Sequence, residues 1–227
     1  MRLADLALVN CFFQVNLVRG FRYLDDAGKI MNRWDEEFSE KAVGLNGLVM
    51  RNPAAQSLVQ VQVDTSKIWA HFRKPPTLTY VFDHAANLAD EISAILGVET
   101  YRRTALRVQY VAPVGNVDSA SRRLGADVAP YLIEMVASQQ REVEGLEMAI
   151  RVADPLLSSR VAIGVTSREL VPDSANDLPE RAILFDADLF STETIEARRA
   201  KLVLLRIPGW LKEHLEPLVA KYTEGLE

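Results

Sequence analysis

A chain of 227 residues can build one large core or two half-size units, without disulfides or metals to hold it. Its composition, 48% hydrophobic and 25% charged, excludes wholesale disorder. A net charge of −5, a lone cysteine (Cys11), no apolar run of the ~20 residues needed to span a bilayer, and an N-terminal stretch broken by Asn10, Gln14 and Asn16 lead us to expect a cytoplasmic protein with no membrane and no nucleic-acid partner.

Ala7 to Val18 alternates, with Val9, Cys11, Phe13, Val15 and Leu17 on one side and Asn10, Phe12, Gln14 and Asn16 on the other, which predicts a strand. Tyr23 to Lys41 places Ile30, Trp34 and Phe38 four apart and predicts a helix. Three strands follow: Leu45 to Arg51, Ser57 to Asp64 and Lys67 to Arg73. Thr77 caps a second helix, striped by Val81, Ala85, Leu88, Ile92 and Leu96 and stopped at Gly97.

Tyr101 to Val111 opens the second half of the chain as another strand. Asp118 or Ser119 can cap a helical region that Gly125 and Pro130 interrupt, so a regular helix is expected only from Pro130 to Ala137. Strands are expected at Glu142 to Ala153, Ser158 to Thr166 and Arg181 to Phe190, with a surface loop over 168–180. Ser191 or Thr192 caps a helix from Glu193 to Leu205, and Pro208 opens a last helix reaching Tyr222.

In element order the halves repeat: strand, helix, three strands, helix. A sheet with helices on one face cannot bury its other side alone, so two such units are expected to pair. We therefore expect a single α+β domain over 1–227, pseudo-duplicated into halves 1–98 and 99–227. About eight mostly antiparallel strands would form a sheet or barrel with helices outside.

Arg103, Leu106, Arg107 and Tyr110, in the stretch Arg103-Thr104-Ala105-Leu106-Arg107-Val108-Gln109-Tyr110, resemble the mid-chain strand of an uncharacterised prokaryotic family described as sporadically distributed. Phe185-Asp186-Ala187-Asp188-Leu189-Phe190 resembles that family's late aspartate-rich strand. Ala105 stands where the family has glycine, and the asparagine that often follows the tyrosine is missing. The resemblance implies topology and no chemistry. In layout alone the chain is also similar to duplicated effector-binding modules, which hold small molecules between their halves.

The candidate site is the polar side of the middle strand. Arg103, Arg107 and Gln109 share that side with Tyr101 and Ala105. Arginine suits bidentate capture of carboxylate or phosphate. Gln60 and Gln62, then Trp69, His71 and Arg73, then Gln14 and Asn16, occupy matching sides of neighbouring strands. Together they read as a polar concavity with an aromatic wall, fit for a small anionic ligand. The plainer reading is the wet side of an antiparallel sheet. Asp186 and Asp188 share one strand side and offer a third reading, a Mg²⁺-dependent hydrolase or transferase. No phosphate loop, dinucleotide fingerprint, zinc-ligand set or nucleophile elbow occurs, so we expect no cofactor, no metal and no catalytic residues. The partners expected are the anionic ligand and, on an alternative structural reading, further copies of the chain or a complex subunit.

Overall fold

Alternation in the sequence becomes a ten-stranded antiparallel sheet. The structure, a computed structural model, describes residues 1–18, 23–45, 47–139, 146–153, 157–167 and 181–225. The strands are β1 (Ala7–Leu17), β2 (Glu40–Gly44), β3 (Gly47–Arg51), β4 (Leu58–Val63), β5 (Lys67–Arg73), β6 (Thr100–Pro113), β7 (Glu147–Val152), β8 (Ser158–Ser167), β9 (Arg181–Ser191) and the short β10 (Ile195–Glu196). Their spatial order is β2-β3-β4-β5-β1-β6-β9-β8-β7, with β10 added beside β6. The sheet is therefore open, not a barrel, with β2 and β7 at its edges. It has ten strands where about eight are expected, because 40–44 forms a strand and β10 adds a short pairing.

Side chains alternate between the faces of a strand, so the register decides what each face carries. On one face Cys11, Phe13 and Val15 of β1 stand beside Ile68, Ala70 and Phe72 of β5 and Leu106 and Val108 of β6. Phe185, Ala187 and Leu189 of β9 continue the layer. This face meets α1 (Tyr23–Arg33), α2 (Leu78–Leu96), α3 (Val117–Val128) and the C-terminal helices α5 (Ala200–Leu204), α6 (Ile207–Trp210) and α7 (Glu216–Thr223) in one main core. α4 (Pro130–Ser138) packs on α3, where the Ile133 side chain fills the space beside Gly125. Among the described residues no helix is long and apolar enough to cross a membrane.

Thr77 caps α2 by accepting a hydrogen bond from the Tyr80 amide, and Gly97 ends it in the left-handed conformation. Other expectations are corrected. The first helix stops at Arg33, although Trp34 and Phe38 remain buried in the turn that follows. Lys41 instead pairs with Met50 as part of β2, where the sheet ladder satisfies its backbone. Asn116, not Asp118 or Ser119, caps α3, and that helix runs through Gly125. No helix begins at Glu193; Ile195 and Glu196 pair with Tyr101 and Thr100, and the helix starts at Ala200. The late strand expected from Glu142 is described from Glu147, and the loop expected over 168–180 lies outside the described residues.

Two register shifts bracket the β1–β6 pairing, at Val9 and at Arg102. Each inserts one residue and turns its neighbours over. Val9 leaves the Cys11 side and packs with Val111, Ala182 and Leu184 in a separate small cluster. Tyr101, expected beside Arg103, turns instead into the core. Its hydroxyl shares a hydrogen bond with Ser93 Oγ at 2.7 Å and donates to the Ala89 carbonyl at 3.1 Å.

Burial pushes the Tyr101 phenol up to about 12, opposed by the Ser93 hydrogen bond. An unfolded tyrosine ionises near ~10. The folded chain thus holds a proton that the unfolded chain gives up, so the contribution is whole below pH ~10 and is lost as pH rises towards ~12. Urea unfolding between pH 9 and 12 is expected to show a midpoint falling over that window. Tyr101→Phe should show a shallower fall and a neutral-pH loss of about 1 kcal/mol from the deleted hydrogen bonds.

Candidate functional site

The face of the sheet away from the main core is largely polar. Reading across the strands, one row runs Arg51, Gln60, His71, Phe12, Arg107, Asp188, Arg160 and Arg151. The next runs Arg73, Asn10, Gln109, Asp186 and Ala162. A third runs Gln62, Trp69, Gln14, Ala105, Phe190 and Ser158. The expected residues thus share one face, although they divide into two regions with different chemistry.

A chain of hydrogen bonds crosses the middle. His71 Nε2 lies 2.9 Å from Asn10 Oδ1, Asn10 Nδ2 donates to Gln109 Oε1 at 3.0 Å, and Gln109 Nε2 donates to Asp186 Oδ2 at 3.3 Å. Asn10, Gln109 and Asp186 are all buried. The carboxylate sets the direction of the chain. An ionised Asp186 only accepts, so Gln109 presents its amide N–H₂ and turns its oxygen to Asn10. Asn10 must then donate to Gln109 and accept from His71, which places a proton on His71 Nε2. Phe12 stacks on the His71 ring with centroids 4.5 Å apart, and Trp69 lies 5.9 Å from Phe12 and 6.1 Å from His71.

Arg107 closes the other end. Its Nε donates to both oxygens of Asp186, at 2.7 and 3.0 Å, and its Nη2 donates to Oδ2. The Asp186 hydrogen bonds hold the Arg107 guanidinium in its charged form, against the cost of partial burial. Arg107 is therefore committed to the scaffold and is a poor candidate for ligand contact. The same holds for Arg73, which donates to the Pro53 carbonyl at 2.8 Å and ties down the loop before β4. Gln14 donates to Asn16 at 2.6 Å, and Gln60 accepts from Arg51 at 3.3 Å. Asp186 and Asp188 share a face as expected, but Asp186 is occupied by Arg107 and Gln109, and Asp188 by Arg103. A cation there would have to displace these donors.

The concavity lies at the other end of the face, towards β7. A cavity of about 380 Å³ is lined by Arg103, Arg151, Val152, Ala153, Ser158, Ser159, Arg160, Asp188 and Phe190. Of the expected residues only Arg103 lines it; Gln14, Gln60, Gln62, Trp69, His71 and Arg73 stand outside. Among the described lining residues three arginines face one carboxylate, Asp188, and they are loosely held. Arg103 Nη2 reaches Asp188 at 3.3 Å while its guanidinium lies over Phe190, 4.6 Å from the ring centroid. Arg160 lies 3.7 Å from Glu147, beyond hydrogen-bond length. Arg151 is exposed and directly opposite Arg160. The Ser159 hydroxyl is buried with no hydrogen-bond partner among the described residues.

The sequence reading missed Arg151, Arg160 and Phe190 as site residues. The signal was present: Asp154-Pro155 between two alternating runs marks a hairpin, and pairing its arms sets Arg151 against Arg160.

The two aspartates are expected to differ sharply on removal of charge. Asp188→Asn should cost less than about 1 kcal/mol, as a single, partly buried contact. Asp186→Asn strips a buried acceptor from Arg107 and from the amide chain, and should cost about 2 kcal/mol or more. Urea denaturation of both variants at pH 7 measures the difference.

Compared with known proteins, the chain matches no family model and no curated protein. Among solved structures, the regulatory subunit of aspartate kinase from Thermus thermophilus, in its ligand-free form, is 12% identical, with 90% of this chain and 93% of that one covered and a TM-score of 0.22. The regulatory subunit of aspartate kinase from Thermus flavus is also 12% identical, with 90% and 94% covered and a TM-score of 0.23. At such scores neither similarity supports an argument about this chain.

Proposed function

We propose that this protein is a non-enzymatic binding module of the cytoplasm that takes a small anionic ligand on its polar sheet face, in the cavity beside β7 and β8. The single observation that carries this reading is the convergence of Arg103, Arg151 and Arg160 on a cavity with one carboxylate among its described lining residues. Its volume, about 380 Å³, falls at the small end of the range for ligand sites. Guanidinium groups held by long, single contacts exchange readily for a ligand carboxylate or phosphate, which they grip bidentately. Arg107 and the amide chain then act as the rigid support that a binding site needs.

On this reading halves 1–98 and 99–227 are copies of one unit. Its support is the pairing order: β1 pairs with β5, the last strand of its half, and β6 with β9, the last long strand of its half. β1 and β6 then pair with each other.

A second reading, an interaction protein acting through self-association or as a complex subunit, has its own support. The strands β2 and β7 end the sheet, and α4 exposes Tyr131, Leu132 and Met135. Light scattering over a concentration series separates the readings: a constant monomer mass removes self-association.

A thermal-shift screen with small anionic metabolites tests the binding module. A ligand at 100 times its Kd adds about 2.7 kcal/mol, or about 5–10 °C for a chain of this size. Arg160→Gln should abolish that shift and Arg151→Gln should reduce it by about half, each retaining the parent melting temperature within about 2 °C. No shift with any anion in the parent protein contradicts the reading.

A further inference from the structure

The Arg151–Arg160 juxtaposition says more about the ligand than its sign. The two side chains are directly opposite across β7 and β8, on the same face. Like charges in that position repel and weaken the pairing of strands. The flanking carboxylates relieve this only in part. Glu147 approaches Arg160 at 3.7 Å, and Asp188 is already shared with Arg103. Among the described lining residues three guanidinium groups stand against one carboxylate, and Glu147 lies 3.7 Å from Arg160. Phe190, beneath the Arg103 guanidinium, adds an aromatic surface to the lining.

From this, and resting on the anion-binding reading above, the geometry points to a compact dianion as the ligand's head group, bridging Arg151 and Arg160. A phosphate monoester and a short dicarboxylate share that chemistry. Each presents several acceptor oxygens to two planar forks, and each replaces the repulsion between opposed arginines by two charge-assisted contacts. Ligand binding also ties the β7 edge strand more firmly to β8.

The experiment is isothermal titration at pH 7.5 and constant ionic strength with three probes: inorganic phosphate, succinate and acetate. Calorimetry is preferred because phosphate stabilises folded proteins by exclusion alone, which a melting temperature cannot separate from binding. At least one dianion is expected to bind about tenfold or more tighter than acetate, the effect of a second charge a few ångströms away. The tighter of phosphate and succinate identifies the source of the head group. In Arg151→Gln the advantage over acetate should vanish while weak acetate binding persists. If acetate matches both dianions and all three depend on Arg160, dianion selection is overturned and the anion cavity stands. If no probe binds in an arginine-dependent way, both fall.

Discussion

The pairing of β1 with β6 is the constraint on which the structure depends. It joins the two halves and decides which side chains face the core. Phe13 stands beside Leu106 on one side, and Phe12 beside Arg107 on the other. A slip of one residue would turn Arg107 into the helices and Leu106 out of them, so the buried layer fixes the register that the polar layer uses. The inserted residues Val9 and Arg102 bound this register at the N-terminal ends of the two strands. One consequence is that Tyr101 packs under α2; another is that Val9 joins a small apolar cluster on the polar face.

On that face the arginines divide into two kinds by the quality of their contacts. Arg107 has a buried, two-pronged partner, and Asp186 in turn orders Gln109, Asn10 and His71. A fully satisfied polar network of this kind rigidifies the sheet and leaves its members unavailable. Among the described residues Arg103 and Arg160 have long contacts and Arg151 has none, and all three line the cavity. Residue type alone does not separate the two kinds; only the partner does. The open space lies beside the hairpin of β7 and β8, away from the seam, so the support and the proposed ligand contacts occupy neighbouring strands.

Much of this was legible in the sequence. The alternation of Val59, Val61 and Val63 and of Ile68, Ala70 and Phe72 gave strands because both sets had to be buried. The same alternation assembled Gln14, Gln60, Gln62, Trp69, His71, Arg103, Arg107 and Gln109 on one face. The errors have physical causes. A stripe at Ile30, Trp34 and Phe38 looks helical, yet burial of Phe38 is met equally well by a turn, and pairing with β3 then claims Lys41. Bulges are not encoded in hydrophobic period, so Tyr101 and Val9 were assigned to the wrong faces. The cavity was missed because it depends on cross-strand neighbours in a hairpin, where Arg151 gains its meaning only from Arg160 opposite.

The most direct measurement is a ¹⁵N-resolved titration of the protein with inorganic phosphate, following the backbone amides of β7, β8 and β9 and the arginine side-chain Nε–H signals. The account predicts saturable shifts at Arg103, Arg151 and Arg160 and their neighbours, with the Arg107 Nε–H signal nearly unmoved because Asp186 retains it. Shifts centred on Arg107 and His71, or on the helical face, or none that saturate, would contradict it.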